Sequence, residues 1–95
     1  MTKAEIVAEI SGKTGIEKEV VLSTVEEFMK SVSTSLENGN NVYLRGFGSF
    51  TVKKRAQKTG RNISKNITII IPAQNVPHFK PAKSFVKNVK SNLKV

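Results

Sequence analysis

The sequence has no cysteine and a single histidine, His78, among its 95 residues. Without thiols it can form neither a disulfide framework nor a zinc site built from thiolates, and one imidazole cannot make a histidine cluster. We therefore expect no metal and no cofactor. No stretch approaches the roughly 20 consecutive apolar residues of a membrane-spanning helix, and the first ten residues lack the pattern of a secretory signal. These absences predict a cytoplasmic protein with no membrane partner.

Acidic residues are missing from the second part of the chain. All seven are glutamates before residue 38, and together with four lysines they give the first 40 residues a net charge of −3. The remaining 55 residues carry twelve lysines and arginines and no carboxylate. A surface of one charge sign repels itself, and a partner of opposite charge relieves that repulsion, so this region predicts a polyanionic partner. A basic surface kept only for solubility is the alternative, although cationic surfaces attract nucleic acid in any case.

The same lack of carboxylates argues against an enzyme. Nuclease chemistry uses carboxylates to hold metal ions, and the basic region has none. The run Gly12-Lys13-Thr14-Gly15 lacks the preceding strand and the full spacing of a phosphate-binding loop. His78 has no visible acid or nucleophile partner, so we interpret it as a structural histidine. No catalytic residue is predicted.

Apolar residues recur with helical spacing at both ends of the chain. Thr2-Lys3-Ala4-Glu5 has the pattern of a capping box and predicts a helix over about 3–12, ended by Gly12 and Gly15. An apolar stripe with steps of three and four predicts a long helix over about 17–38. A last helix is predicted from Ala82 to about Leu93, because Pro81 suits a helix start.

Between these helices the pattern is that of strands. Residues 42–45, 47–54 and 67–71 are rich in β-branched and aromatic side chains and predict three strands. Gly48 leaves room for a close approach of another backbone. A polar tract with an excess of positive charge, residues 53–66, joins the last two strands, which we expect to pair as one long hairpin. Period-two alternation places Lys53 and Arg55 on one face of it.

Four short motifs resemble those of the bacterial HU and integration host factor family. They are Gly46-Phe47-Gly48-Ser49-Phe50, Arg55, Gly60-Arg61-Asn62, and Asn75-Val76-Pro77-His78-Phe79-Lys80 followed by Lys83. Their order and spacing match the family without insertion over essentially the whole chain. The resemblance implies an α+β fold in which one domain forms an intertwined dimer with an α-helical base and two long β-ribbon arms. Residues 1–40 would form the helical dimerisation region, 41–81 a three-stranded sheet with an arm at about 53–74, and 82–95 the C-terminal helix.

The resemblance also implies a function. Proteins of this kind bind and bend double-stranded DNA through minor-groove arms with little sequence preference, and they organise the bacterial nucleoid. The partner subunit would be an identical chain or a paralogue. A DNA-bending factor that prefers particular sites remains an alternative, as does an RNA-binding structural protein. RNA is the weaker alternative, because Tyr43 and the strand phenylalanines offer no exposed platform for stacking single strands.

The family resemblance assigns residues to two roles. The expected DNA-binding residues are Lys3, Gly48, Lys53, Arg55, Lys58, Arg61, Asn62, Ile63, Lys65, Lys80 and Lys83. The expected dimer core comprises Val25, Phe28, Met29, Val32, Leu44, Phe47, Phe50, Phe79 and Phe85. At the arm tip this chain reads Asn62-Ile63-Ser64-Lys65-Asn66 where the family usually has Asn-Pro-x-Thr-Gly. The role of the family's intercalating proline therefore passes to Ile63, since branched apolar side chains can also unstack a base step.

Overall fold

The computed structural model describes residues 1–62 and 67–93. The elements in chain order are α1 (Lys3–Thr14), α2 (Lys18–Glu37), β1 (Val42–Leu44), β2 (Gly48–Arg55), β3 (Lys58–Asn62), β4 (Ile67–Ile71), β5 (Gln74–Pro81) and α3 (Lys83–Asn92). The chain divides into two compact units, Met1–Ser35 and Leu36–Val95. This content of helices and antiparallel strands confirms the predicted α+β class.

Local capping chemistry sets the ends of α1. The Thr2 hydroxyl accepts a hydrogen bond from the Glu5 amide at 3.2 Å, as the capping-box pattern predicted. At the other end the Gly15 amide donates to the Ser11 carbonyl at 2.9 Å, and Gly15 takes a left-handed φ of 76°. The expectation that Gly12 helps to end this helix is wrong, because Gly12 lies inside it. Within the described ranges, no helix is long and apolar enough to cross a membrane.

The strands form two separate antiparallel ladders. One is a three-stranded sheet in the order β1-β2-β5, and the other pairs β3 with β4. The expected pairing of the second strand with residues 67–71 is therefore wrong. Arg55 of β2 faces Gln74 of β5, whereas Lys58 of β3 faces Ile71 of β4. Two residues between β2 and β3, and two between β4 and β5, interrupt the strand pairing. One of them is Pro72, which has no amide hydrogen to donate.

A cluster of phenylalanine rings forms the interior of the second unit. The ring centroid of Phe47 lies 5.2 Å from that of Phe79 and 5.6 Å from that of Phe85. Phe50 and Phe79, which face each other across β2 and β5, are 4.8 Å apart. The Phe47 carbonyl also accepts a hydrogen bond from the Ala82 amide at 2.9 Å. The turn between β1 and β2 is thereby tied to the start of α3.

Burial within a single chain is incomplete. Among the residues whose burial is described, Val7 and Val21 are the only buried apolar side chains. Of the predicted dimer core, Phe28, Met29 and Phe47 are between 45% and 47% exposed. The others are half-buried: Val25, Val32, Leu44, Phe50, Phe79 and Phe85. So many large apolar side chains exposed to water on one chain are typical of a protein interface.

Substitution of Gly48 tests how closely β2 packs against β5. A Cβ atom at this position would lie 2.6 Å from the Lys80 carbonyl oxygen and 2.7 Å from the Phe79 ring. Because the first of these atoms is backbone, we expect Gly48→Ala to cost about 1–3 kcal/mol in the free energy of unfolding. Urea denaturation at matched protein concentrations measures this cost.

Gly12→Ala is the matched control. A Cβ at Gly12 would meet nothing within 4 Å, and the position is helical. The same substitution there should stabilise the protein by about 0.5–1 kcal/mol. Equal effects of the two substitutions would contradict the close approach at Gly48.

Candidate nucleic-acid interface

The register of the three-stranded sheet separates a polar face from an apolar one. Tyr43, Ser49 and Lys80 align across β1, β2 and β5 in one row. Since side chains alternate along a strand, Lys53 and Arg55 lie on the same face as this row. Both side chains, like that of Lys80, are exposed. The sheet thus presents cations on the face opposite the one that carries Phe50 and Phe79.

A groove of about 610 Å³ lies at the end of this polar face, and we call it the sheet-end groove. Its cationic lining residues are Arg45, Lys80 and Lys83, and Gly48 also contributes to its wall. The structure thereby brings together three of the predicted DNA-binding residues, Gly48, Lys80 and Lys83. Gly48 has no side chain and is buried, so it contributes only backbone atoms to the wall of the groove.

The start of α3 adds to the positive potential of the sheet-end groove. The helix begins at Lys83 after Ala82, which supplies no side-chain cap, and its first turn contains no acid. The first amide groups of a helix point outward without partners inside the helix, and they carry the positive end of its dipole. Residues at the start of α3, Ala82 and Lys83, thus line the same groove as Lys80. Such an arrangement suits a phosphate group.

Two residues of this groove were missed by the sequence analysis. Arg45 was counted only as one of the basic residues, and Tyr43 only as a poor stacking platform, yet both line the sheet-end groove. Tyr43 is 71% exposed, and its hydroxyl accepts a hydrogen bond from Asn41 Nδ2 at 3.2 Å. Asn41 Oδ1 in turn accepts from the Val52 amide at 3.1 Å. Because one lone pair of the Tyr43 hydroxyl is engaged, its proton is left to donate outward.

A signal for these two residues was present in the sequence. Tyr43 and Arg45 are two positions apart, directly before the glycine turn, and strand alternation would have placed them on the face of Ser49. The groove itself could not be foreseen, because its other cations, Lys80 and Lys83, come from a distant part of the chain.

The remaining predicted residues are distributed over the rest of the chain. Lys3 belongs to the first unit, where its ammonium group forms an ion pair with Glu26 at 3.1 Å. Lys58, Arg61 and Asn62 lie on β3. Ile63 and Lys65 lie outside the described residues. In the part of the chain that is described, no three His, Asp or Glu side chains are grouped as a metal site would require.

Comparisons with known proteins agree with this geometry. A family model described as bacterial DNA-binding protein matches residues 1–90. The chain is 38% identical over 91 residues to the SPbeta prophage-derived DNA-binding protein HU 2 of Bacillus subtilis, covering 96% of this chain and 99% of that protein. It is 39% identical over 95 residues to integration host factor subunit beta of Marinobacter nauticus, covering 99% and 97%.

A solved structure is similar in fold as well. The structure of Anabaena HU in a cocrystal with DNA superposes with a TM-score of 0.88 at 31% identity, covering 95% of this chain and 98% of that one.

The ion pair of Lys3 leads to a prediction about affinity for double-stranded DNA. A phosphate that binds Lys3 must compete with Glu26, and an exposed ion pair is worth about 0–1 kcal/mol. We expect Glu26→Gln to strengthen DNA binding about two- to fivefold more than Glu27→Gln, measured by fluorescence anisotropy at low salt. Glu27 is the neighbouring exposed glutamate, and its substitution removes the same charge. Identical affinities for the two variants would show that Lys3 takes no part in binding.

Proposed function

Because this chain belongs to the bacterial DNA-binding protein family, we propose that it is an architectural protein that binds and bends double-stranded DNA as a dimer. That family is one of DNA-binding proteins rather than enzymes. The observation that carries the proposal is the polar face of the sheet. There, Lys53, Arg55 and Lys80 are exposed together, and the face continues into the sheet-end groove.

The dimer is supported by the apolar side chains that a single chain leaves in water. Phe28, Met29 and Phe47 are each nearly half exposed, and the phenylalanine cluster is open to solvent at Phe47. A chain of this size buries only about 60% of its surface by itself, so association supplies burial that the fold lacks. The second chain is an identical copy or a paralogue. In either case its apolar surface would complete the core.

DNA contacts divide into those of the arms and those of the body. On the arms, Lys53, Arg55, Lys58, Arg61, Asn62 and Lys65 follow the minor groove. Arginine there meets base-edge acceptors and phosphates together, whereas lysine supplies mainly a point charge. On the body, Lys3, Lys80, Lys83 and the backbone at Gly48 hold flanking phosphates. Minor-groove contacts distinguish little beyond A·T from G·C, so the proposed binding is largely sequence-tolerant.

The proposed place of action is the bacterial nucleoid in the cytoplasm. The chain is similar both to an HU protein and to a subunit of integration host factor, at 38% and 39% identity. A preference for particular DNA sites is therefore the second candidate. Competition among random duplex, A·T-rich duplex and structured RNA separates general binding, site preference and RNA binding.

Binding should depend strongly on salt. If the dimer neutralises about 6–10 phosphates, its affinity should fall by roughly 10³–10⁵ between about 50 and 200 mM salt, because counterions are released on binding. Arg55→Gln should make the slope of log affinity against log salt shallower by about one unit for each phosphate that is no longer bound. Lys13→Gln is the control and should leave the slope unchanged, since Lys13 is paired with Glu9 in the first unit. A slope near zero for the unmodified protein would reject the proposed function.

Ile63 is proposed to insert between base pairs and to set the bend. Ile63→Ala should then reduce the bend angle, measured by energy transfer between dyes at the duplex ends, more than it reduces affinity for nicked DNA. Unstacking a base step costs a few kcal/mol, which a nick largely removes. Ile70→Ala removes the same atoms from an exposed position of β4 and should leave the bend unchanged. Equal bend angles for the unmodified protein and Ile63→Ala would exclude a wedge at Ile63.

A further inference from the structure

His78 lies on the polar face of the three-stranded sheet, although the sequence alone suggested a structural role for it. It faces Thr51 across β2 and β5, and it is two positions along β5 from Lys80. Since side chains alternate along a strand, His78 and Lys80 lie on the same side of the sheet. The imidazole is exposed, whereas Phe79 between them belongs to the ring cluster. The chain's single histidine is therefore part of the surface to which we assign DNA contacts.

Exposed lysines lie on either side of His78 along the sheet. Lys80 is two residues from it on β5, and Lys53 is two residues from its partner Thr51 on β2, in the opposite direction. Two residues of a strand span about 7 Å, so each lysine is one such step from the His78–Thr51 pair. Both lysines are exposed. A DNA backbone that runs across this face from Lys53 to Lys80 passes over His78.

No carboxylate lies on the strands around His78. The sequences of β1, β2 and β5 contain none. The helix α3 packs against the opposite face of β5 through Phe85 and Phe79, and its charged side chains are all lysines. The titratable or charged side chains of the polar face and the adjoining sheet-end groove are Tyr43, Arg45, Lys53, Arg55, Lys80 and Lys83.

An anion on this face would alter the protonation of the imidazole. Positive neighbours disfavour the charged form of a histidine, whereas a nearby anion favours it. A protonated His78 adds one more positive charge to a face that carries only cations and has no acid of its own strands to pair with. A phosphate held between Lys53 and Lys80 would supply the missing partner.

Histidine is the side chain whose charge changes at ordinary pH. An unperturbed imidazole titrates near pH 6.5, whereas lysine and arginine keep their charge between about pH 5 and 8. The chain has no second histidine and no cysteine, so only an α-amino group titrates close to the same range. The polar face thus contains one group whose charge depends on pH among others whose charge is constant.

We propose that His78 takes up a proton when DNA binds and contacts a backbone phosphate between Lys53 and Lys80, so that affinity for DNA rises as the pH falls from about 8 to about 6. This inference rests on the proposed DNA binding and adds pH dependence to it. A charge-assisted hydrogen bond to phosphate is stronger than a neutral one, so the protonated form binds more tightly. By linkage, DNA favours protonation by the same factor. A dimer takes up at most two protons, one for each subunit.

The first test is the affinity of the whole protein for one random duplex between pH 5.5 and 8.5, measured by fluorescence anisotropy at constant ionic strength. A rise of about 0.5–1 pH unit in the titration midpoint of each of two imidazoles corresponds to about five- to fortyfold tighter binding at pH 6 than at pH 8. His78→Gln should lose this gain and bind at pH 6 about as tightly as the unmodified protein binds at pH 8. The variant keeps the α-amino group, so any contribution of that group remains.

The second test observes the imidazole directly. As the chain's single histidine, His78 gives one set of imidazole proton signals in NMR spectra. Their titration midpoint should move to higher pH by about 0.5–1 pH unit when the protein is saturated with duplex DNA. This measurement uses the unmodified protein, so it decides the question even if His78→Gln does not fold.

The control returns a histidine at a distant position, by Lys13→His in the His78→Gln background. Lys13 is exposed and paired with Glu9 in the first unit. An imidazole there gains the same charge between pH 8 and pH 6 without reaching the polar face, so the pH dependence should not return.

Three outcomes overturn the inference while leaving the proposed function intact. They are equal affinities of the unmodified protein at pH 6 and pH 8, a pH dependence that survives His78→Gln or returns with Lys13→His, and an imidazole midpoint that DNA does not move. If the unmodified protein binds the duplex at no pH, the proposed function itself fails.

Discussion

The packing of four phenylalanine rings holds together the elements that form the sheet-end groove. Phe47 in the turn, Phe50 on β2, Phe79 on β5 and Phe85 on α3 come from separate segments, and neighbouring ring centroids in the cluster are 4.8 to 6.5 Å apart. Offset and tilted ring pairs at such distances contribute about 0.5–1.5 kcal/mol beyond their buried area. Because Phe50 and Phe79 face the cluster from β2 and β5, the residues next to them on those strands, Ser49 and Lys80, lie on the opposite face of the sheet. The position of Lys80 therefore follows from the packing of the rings.

Charge segregation along the chain decides how those cations behave. Lys3 and Lys13 in the first unit have glutamate partners at 3.1 and 3.3 Å, whereas the basic residues of the second unit have only Glu37 within their own unit. Exposed ion pairs stabilise a fold weakly, so having a single acidic side chain costs the second unit little in the free energy of unfolding. It leaves the lysines and arginines available to an external polyanion. The same residues would bind phosphate poorly if carboxylates were interleaved among them.

The sequence predicted what local chemistry determines. The start of α1 at the Thr2 cap, the extent of α2 and the strand Ile67–Ile71 all follow from propensities and caps within a few residues, and the family resemblance is confirmed. Strand pairing was wrong, because the partner of β2 depends on a two-residue break on each side of the hairpin that alternation does not encode. Arg45 and Tyr43 were overlooked for a similar reason, since the sheet-end groove exists only once β5 and α3 are folded against the turn. The roles assigned to Ile63 and to the arm residues stay predictions.

The incomplete core and the exposed cations of the second unit are related. Phe47 must lie at the centre of the ring cluster to hold β2, β5 and α3 together, yet it remains nearly half exposed in a single chain. A second subunit that covers Phe47 would reinforce the same cluster that orients Lys80 and Lys83. Since rigid placement of donors lowers the ordering cost of binding, dimerisation would prepare the phosphate sites as well as stabilise the fold. The phenylalanine cluster would then position the DNA-binding residues on one side and contact the partner chain on the other.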